Sequence, residues 1–306
     1  MSHIYRTLTL VLIAAAAVIA LSLIPGHATT GRASSEGGTG TYLPLITNNY
    51  QAGLGSVSGV ISDALDGRLL SGLNDEAQVC YQGTCYLADS SGNYSISGLP
   101  SGARWLTGRA QGYVDFNILV IINAEANIIQ NFPLSPDDLS EGQVRIILTW
   151  DADPPDLDAH LWTPFDINGI PHVYQANPGD CDGIPPTEVC LDIDDVDGWG
   201  PETITILEAP PAGTAFFQYA VEKFDPCFPP CPNPIEDAFP VVNVFGETSM
   251  GGFQETFVIP QQGNTGKRFW YVFDIEYDDF GFVGIITKNC FTDAPNPFDD
   301  PPTCPP

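Results

Sequence analysis

From residue 55 onward, apolar and polar positions alternate at the two-residue period of a strand with one buried face. Val144, Ile146, Leu148 and Trp150 share one such face. Leu157, Ala159 and Leu161 share another, with Asp156, Asp158, His160 and Trp162 on the opposite side of the same strand. The period continues through Ile204 and Ile206, through Phe217, Tyr219 and Val221, and through Phe269, Tyr271, Phe273, Ile275 and Tyr277. Nearer the N-terminus, Val79 to Tyr81 and Cys85 to Leu87 read as two strands joined through Gln82 and Gly83. Tyr94 to Ile96, Trp105 to Ala110 and Ile118 to Ile122 follow, with turns at D-S-S-G-N (89–93) and G-L-P-S-G (98–102). No stretch carries a convincing 3.6-residue period. Many short strands at this spacing predict an all-β chain of two β-sandwich domains.

The remaining segments set the boundaries. Arg6 precedes an uncharged apolar run from Leu8 to Ile24, broken by Pro25 and Gly26 and ending in small residues at Gly26 and Ala28. This reads as a secretory signal over residues 1–28, cut after Ala28, with an uncleaved anchor as the alternative. No second long apolar run exists, so the mature form has no expected membrane span. Residues 29–54 are rich in Gly, Ser and Thr and read as a flexible linker. Their one apolar insert, Y-L-P-L-I at 42–46, is either a docking strand or an exposed patch. The first sandwich covers 55–134, a polar linker covers 135–142, and the second sandwich covers 143–288. Within it, the span between Phe224 and Val241 is too rich in proline for a strand. Residues 289–306 read as a mostly unstructured Pro/Asp-rich tail.

Two resemblances follow from ordered motifs. G-V-I-S-D-A at 59–64, S-G-N-Y-S-I-S-G-L-P-S-G at 91–102 and Gly112-Tyr113 resemble the carboxypeptidase regulatory-like family. That resemblance implies a seven-stranded, transthyretin-like sandwich, non-catalytic and related in shape to carbohydrate-binding modules, and it carries over no site residue. L-T-W-D at 148–151, D-L-D-A-H-L-W-T-P at 156–164, D-I-D-D-V-D-G-W-G-P-E at 192–202 and P-P-A-G at 210–213 resemble a bacterial extracytoplasmic domain of unassigned function. That second resemblance implies a secreted sandwich and no reaction.

Charge narrows the partners. Against 38 acids stand 10 Lys and Arg, for a net charge of −28 in 306 residues. Such a chain is repelled by nucleic acid and by anionic lipid. Polysaccharide and extracellular protein remain as partners. The acids also serve simply to keep an exported protein soluble. The eight cysteines fall into neighbours: Cys80 with Cys85, Cys181 with Cys190, Cys227 with Cys231, and Cys290 with Cys304. An exported chain with this pattern is expected to form local structural disulfides.

The densest chemistry is acidic. Asp156, Asp158, Asp192, Asp194, Asp195, Asp197 and Glu202 are candidate Ca²⁺ ligands, because gathered carboxylates repel one another and calcium takes six to eight oxygens. The register is not that of an EF-hand: Gly198 at loop position six would put Ile193 first and Ile204 twelfth. The competing reading is a set of solvated Asp-rich turns. His160 is weighed between a transition-metal ligand and a hydrogen-bonding structural residue. Trp162 and Trp199 are candidate sugar-stacking residues, weighed against packing, whereas Trp150 and Trp270 are expected in the core. G-x-S-x-G, H-E-x-x-H and a Gly-rich phosphate loop are all absent from the sequence, so no catalytic residue is assigned. The expected function is a secreted binding or surface-matrix module. The alternatives are a hydrolase of unknown type using the second sandwich's acids, and a structural spacer.

Overall fold

A computed structural model describes residues 53–167, 170–181, 189–207, 215–224, 235–261, 266–279, 281–292, 301 and 303–305. The signal segment, the insert at 42–46 and the Cys227/Cys231 pair lie outside the described residues. The chain is all-β, as its alternation predicts. The strands of the N-terminal part are β1 (Leu54–Asp63), β2 (Gln78–Tyr81), β3 (Thr84–Leu87), β4 (Asn93–Pro100), β5 (Gly102–Arg109), β6 (Phe116–Ile122), β7 (Asn127–Ile129) and β8 (Phe132–Leu134). In β6 the period is complete: Phe116, Ile118, Val120 and Ile122 are buried and the residues between them exposed.

β4, β1 and β7 form one sheet, with β8 beside the far end of β1, while the order β3-β2-β5-β6 forms the facing sheet. β2 and β3 make a hairpin whose turn residues Gln82 and Gly83 both have positive φ, a turn that matches strand twist. The carboxypeptidase-regulatory resemblance implies seven strands, and eight elements are present. The extra one arises because β7 and β8 are a single parallel edge run along β1, interrupted between Ile129 and Phe132.

The second part contains β9 (Val144–Thr149), β10 (Leu157–Ile167), β11 (Ile170–Val173), β12 (Gly179–Asp180), β13 (Val189–Ile193), β14 (Glu202–Ile206) and β15 (Ala215–Lys223). A 3₁₀ turn (Ile235–Ala238) leads into β16 (Val241–Thr248), β17 (Gly251–Val258), β18 (Phe269–Asp278) and β19 (Gly281–Thr292). Two sheets result, β11-β10-β15-β18-β19 and β12-β13-β14-β9-β16-β17. The core between them holds most of the predicted inward set: Val144, Ile146, Leu148, Leu157, Ala159, Leu161, Ile204, Ile206, Phe217, Tyr219, Val221, Phe273, Ile275 and Tyr277. Trp150 and Trp270 belong to it too, as expected. Phe269 and Tyr271 are corrections: the register shifts between Tyr271 and Phe273, so Phe269 packs with Trp162 and Ala220 instead. β19 runs four residues past the expected boundary at 288, and Cys290, within it, is bonded to Cys304. Cys80–Cys85 and Cys181–Cys190 are also disulfides, so all three neighbour pairs among the described residues are formed. Among the described residues no helix is long and apolar enough to cross a membrane.

Period-2 reading of β9 gives only one of its two buried faces. All six of its residues are buried. Ile147, and Phe245 on the neighbouring β16, leave the second core and complete the first one, where Phe116 meets Phe245 edge-on at 6.1 Å. Arg145, also on that face, is 2 % exposed. Its guanidinium donates to Ser135 Oγ at 2.9 Å, to the Pro136 carbonyl at 3.1 Å and to Asp138 Oδ1 at 3.2 Å. The polar segment 135–142 is therefore held down by the sheet that follows it, and residues 50–306 form one compact unit.

Candidate functional site

The motif D-G-W-G-P-E is a turn that its glycines make possible. Gly198, Trp199 and Gly200 all have positive φ, at 98°, 78° and 71°. A Cβ on Gly200 would lie 2.8 Å from the Leu148 carbonyl oxygen and 2.9 Å from the Trp150 ring. Only glycine combines that conformation with that approach. Asp195 closes the turn by accepting the amides of Asp197 and Gly198, each at 3.1 Å. The chain then enters β14 with Glu202 aimed between the two sheets. There one Glu202 oxygen accepts the Ala159 amide of β10. β11 pairs with β10 at Leu161 and beyond, leaving Ala159 on an open edge that Glu202 fills.

Three of the seven candidate ligands meet at this point. One carboxylate oxygen from each of Asp156, Asp158 and Glu202 lies within 4.8 Å of the others. Glu202 is 0 % exposed and Asp158 3 %. Asp156 Oδ1, Asp158 Oδ2 and Glu202 Oε1 are buried without a hydrogen-bond partner. Burial, reinforced by the Asp156 charge, pushes the Asp158 carboxyl up to about 8. Burial and then Asp194 push Asp156 up to about 6. Burial, and next the contact with Asp194, hold Glu202 well above the ordinary carboxylate range.

The other four acids part company. Asp194 is exposed and lies against Glu202. Asp195 serves its own turn, and Asp197 is exposed. Asp192 accepts the Thr205 hydroxyl at 2.6 Å within the six-stranded sheet, and burial raises it to about 6.

Asp158, His160 and Trp162 do share a face of β10, as read from the period, but all three are buried. An exposed sugar platform at Trp162 is thereby corrected. Its ring stacks on His172 of β11 at 4.2 Å, because β11 pairs Trp162 directly with His172. His160 meets His172 ring to ring, Nδ1 to Nε2 at 2.9 Å, and its Nε2 lies 2.9 Å from Glu222. Arg268 also contacts Glu222. Of this second cluster the sequence singles out only His160; Glu222 lies in β15 and Arg268 just before β18, neither in a recognisable motif.

Trp199 has a different setting. It lines an open cleft of about 530 Å³ with Asp151, Asp153, Asp237, Asn127 and Ile129. The cleft lies where the edge run β7 of the first sandwich faces the turns of the second. Asp151, Asp153 and Asp237 are exposed, and Trp199 is half-buried. An aromatic ring flanked by carboxylates and an amide can hold a polyhydroxylated ligand: the ring takes an apolar sugar face while the acids accept hydroxyl protons.

No family model matches the chain, so both family resemblances rest on their motifs alone. No curated protein matches it either. Among solved structures, a protein of unknown function is 19 % identical with a TM-score of 0.32, covering 50 % of this chain and 92 % of its own. A candidate carbohydrate-binding protein from Bacteroides uniformis is 10 % identical, with a TM-score of 0.23, over 67 % of this chain and 97 % of its own. A variant of BcpA, the major pilin subunit of Bacillus cereus, is 11 % identical, with a TM-score of 0.24, over 77 % of this chain and 83 % of its own.

Proposed function

We propose that this chain is an exported, non-catalytic binding module that takes a neutral polysaccharide in the cleft beside Trp199. The carrying observation is the cleft's composition: one half-buried tryptophan, three exposed carboxylates and the Asn127 amide around one open groove. Export is supported by the charged start and apolar run of residues 6–24, and by three formed disulfides, which persist in oxidising compartments. The net charge of −28 favours a neutral or cationic partner over an anionic one. A binding role is favoured over hydrolysis because His160 and His172, the histidines outside the leader, are 1 % and 2 % exposed. Asp156 and Asp158 sit side by side rather than across a cleft, unlike a glycosidase pair.

The test is a glycan array followed by calorimetry on the strongest hit, using residues 29–306 with native disulfides. Trp199→Ala should weaken binding about tenfold, from the lost stacking. Asp237→Asn, on the surface, should also weaken it and is safe for folding. A flat array, binding unchanged in both variants, or release of reducing ends from the bound glycan would overturn the reading.

A further inference from the structure

We infer that Asp156, Asp158 and Glu202 form a calcium site that staples the two sheets of the second sandwich together at one end. Two of these residues enter from the start of β10, and the third from the first residue of β14 in the facing sheet. No strand pairing joins β10 to β14; at this end the two sheets are linked by the 150–156 crossover from β9 to β10 and by side-chain contacts such as that of Glu202 with the Ala159 amide.

The first argument is geometric. Calcium binds oxygen at about 2.3–2.6 Å, so two oxygens on one ion stand at most about 4.6–5.2 Å apart. The three carboxylates place an oxygen each within 4.8 Å of one another. That spacing brings all three within reach of one shared ion.

The second argument is satisfaction. Glu202 Oε2 is used by the Ala159 amide, and its Oε1 accepts from no base or amide; the neighbouring side chain is another acid, Asp194. Asp158 Oδ2 and Asp156 Oδ1 likewise have no hydrogen-bond partner. Three unpartnered buried oxygens in one carboxylate cluster are costly once ionised unless a cation is supplied, because a buried unpaired charge forfeits its hydration.

The third argument is that the nearby bases with described contacts serve a different acid. Arg268 and His160 both engage Glu222, and the Arg268 charge is the smallest of the influences on Asp158, whose carboxyl stays pushed up. The site itself offers only oxygen, which selects a hard cation over zinc or copper. Three carboxylates, each able to bind through one or both oxygens, supply most of the six to eight ligands that calcium takes. Asp194, lying against Glu202 at the surface, raises the local negative potential at the mouth of the site.

This inference is independent of the sugar reading, and its test needs no glycan. Residues 29–306 with native disulfides are stripped with EDTA and titrated with CaCl₂ by calorimetry, native mass spectrometry and thermal unfolding. One calcium per chain is expected. Tm should rise by about 5–10 °C at a hundredfold excess over Kd, for a chain of this size. Asp158→Asn and Glu202→Gln should abolish the calorimetric signal and the shift. Asp156→Asn, half-buried and near-isosteric, should weaken binding at least tenfold even if the other two variants fold poorly. Asp192→Asn and Asp197→Asn should bind calcium like the wild type. No calcium uptake by the folded wild type would overturn the inference. So would uptake that survives Asp156→Asn, or that is lost equally in Asp197→Asn.

Discussion

Phe245 gives the sharpest test of how the two sandwiches depend on each other. It lies on β16 of the second sandwich, is 1 % exposed and packs in the first core against Phe116. Truncating a buried Phe to Ala costs about 3–5 kcal/mol in transfer and cavity terms. Of that, the edge-on pair with Phe116 accounts for about 0.5–1.5 kcal/mol. At about 2–4 °C of Tm per kcal/mol for a chain of this size, Phe245→Ala should lower Tm by about 6–20 °C. The informative readout is hydrogen exchange. Amides of β1 and β6, in a sandwich that the mutation does not touch in sequence, should lose protection together with those of β9 and β16. A double-mutant cycle of Phe245→Leu with Phe116→Leu should return a coupling of about 0.5–1.5 kcal/mol. Unchanged protection at residues 116–122, together with additive single mutants, would refute the shared core.

Two further outcomes follow from the turn and the sheet beneath the acids. Gly200→Ala should cost about 1–3 kcal/mol from backbone strain alone, and more from the contact with Leu148 and Trp150. Gly98→Ala, at φ 74° with no atom near its Cβ, should cost clearly less in the same urea titration, and equal losses would count against the close approach. Asp192 titrates near about 3.9 in an unfolded chain and at about 6 when folded. The folded state therefore holds more protons between those values, and stability falls as pH rises from about 4 to about 6. Asp192→Asn should remove its part of that slope in urea midpoints taken at pH 4, 5, 6 and 7, and an unchanged slope would show that Asp192 is not buried as described.

Much of the architecture is legible in the sequence because alternation reports which side chains share a face. Leu157, Ala159 and Leu161 read correctly as core, and so do Trp150 and Trp270. Alternation does not report what covers the other face. Asp158, His160 and Trp162 look solvent-facing until β11 brings His172 beside Trp162 and β18 brings Phe269 against His160. Those contacts depend on pairings that a local window cannot see. The same limit explains the acids. Their density in 192–202 is plain, but only strand direction sends Asp192 to Thr205 and Glu202 to Ala159. Arg145 falls opposite the alternating apolar set of β9, yet its charge is spent inside, on the segment that precedes it.

The second buried face of β9 bears on how such a protein can be inherited and rearranged. Residues 135–142 look like a seam where recombination could separate or exchange the halves. A break there would leave Ile147 and Phe245 facing water on one product and an open core around Phe116 on the other. Each half alone would carry a sticky wound. Selection would then pass the two sandwiches on together, as a single cassette cut outside residues 53–292.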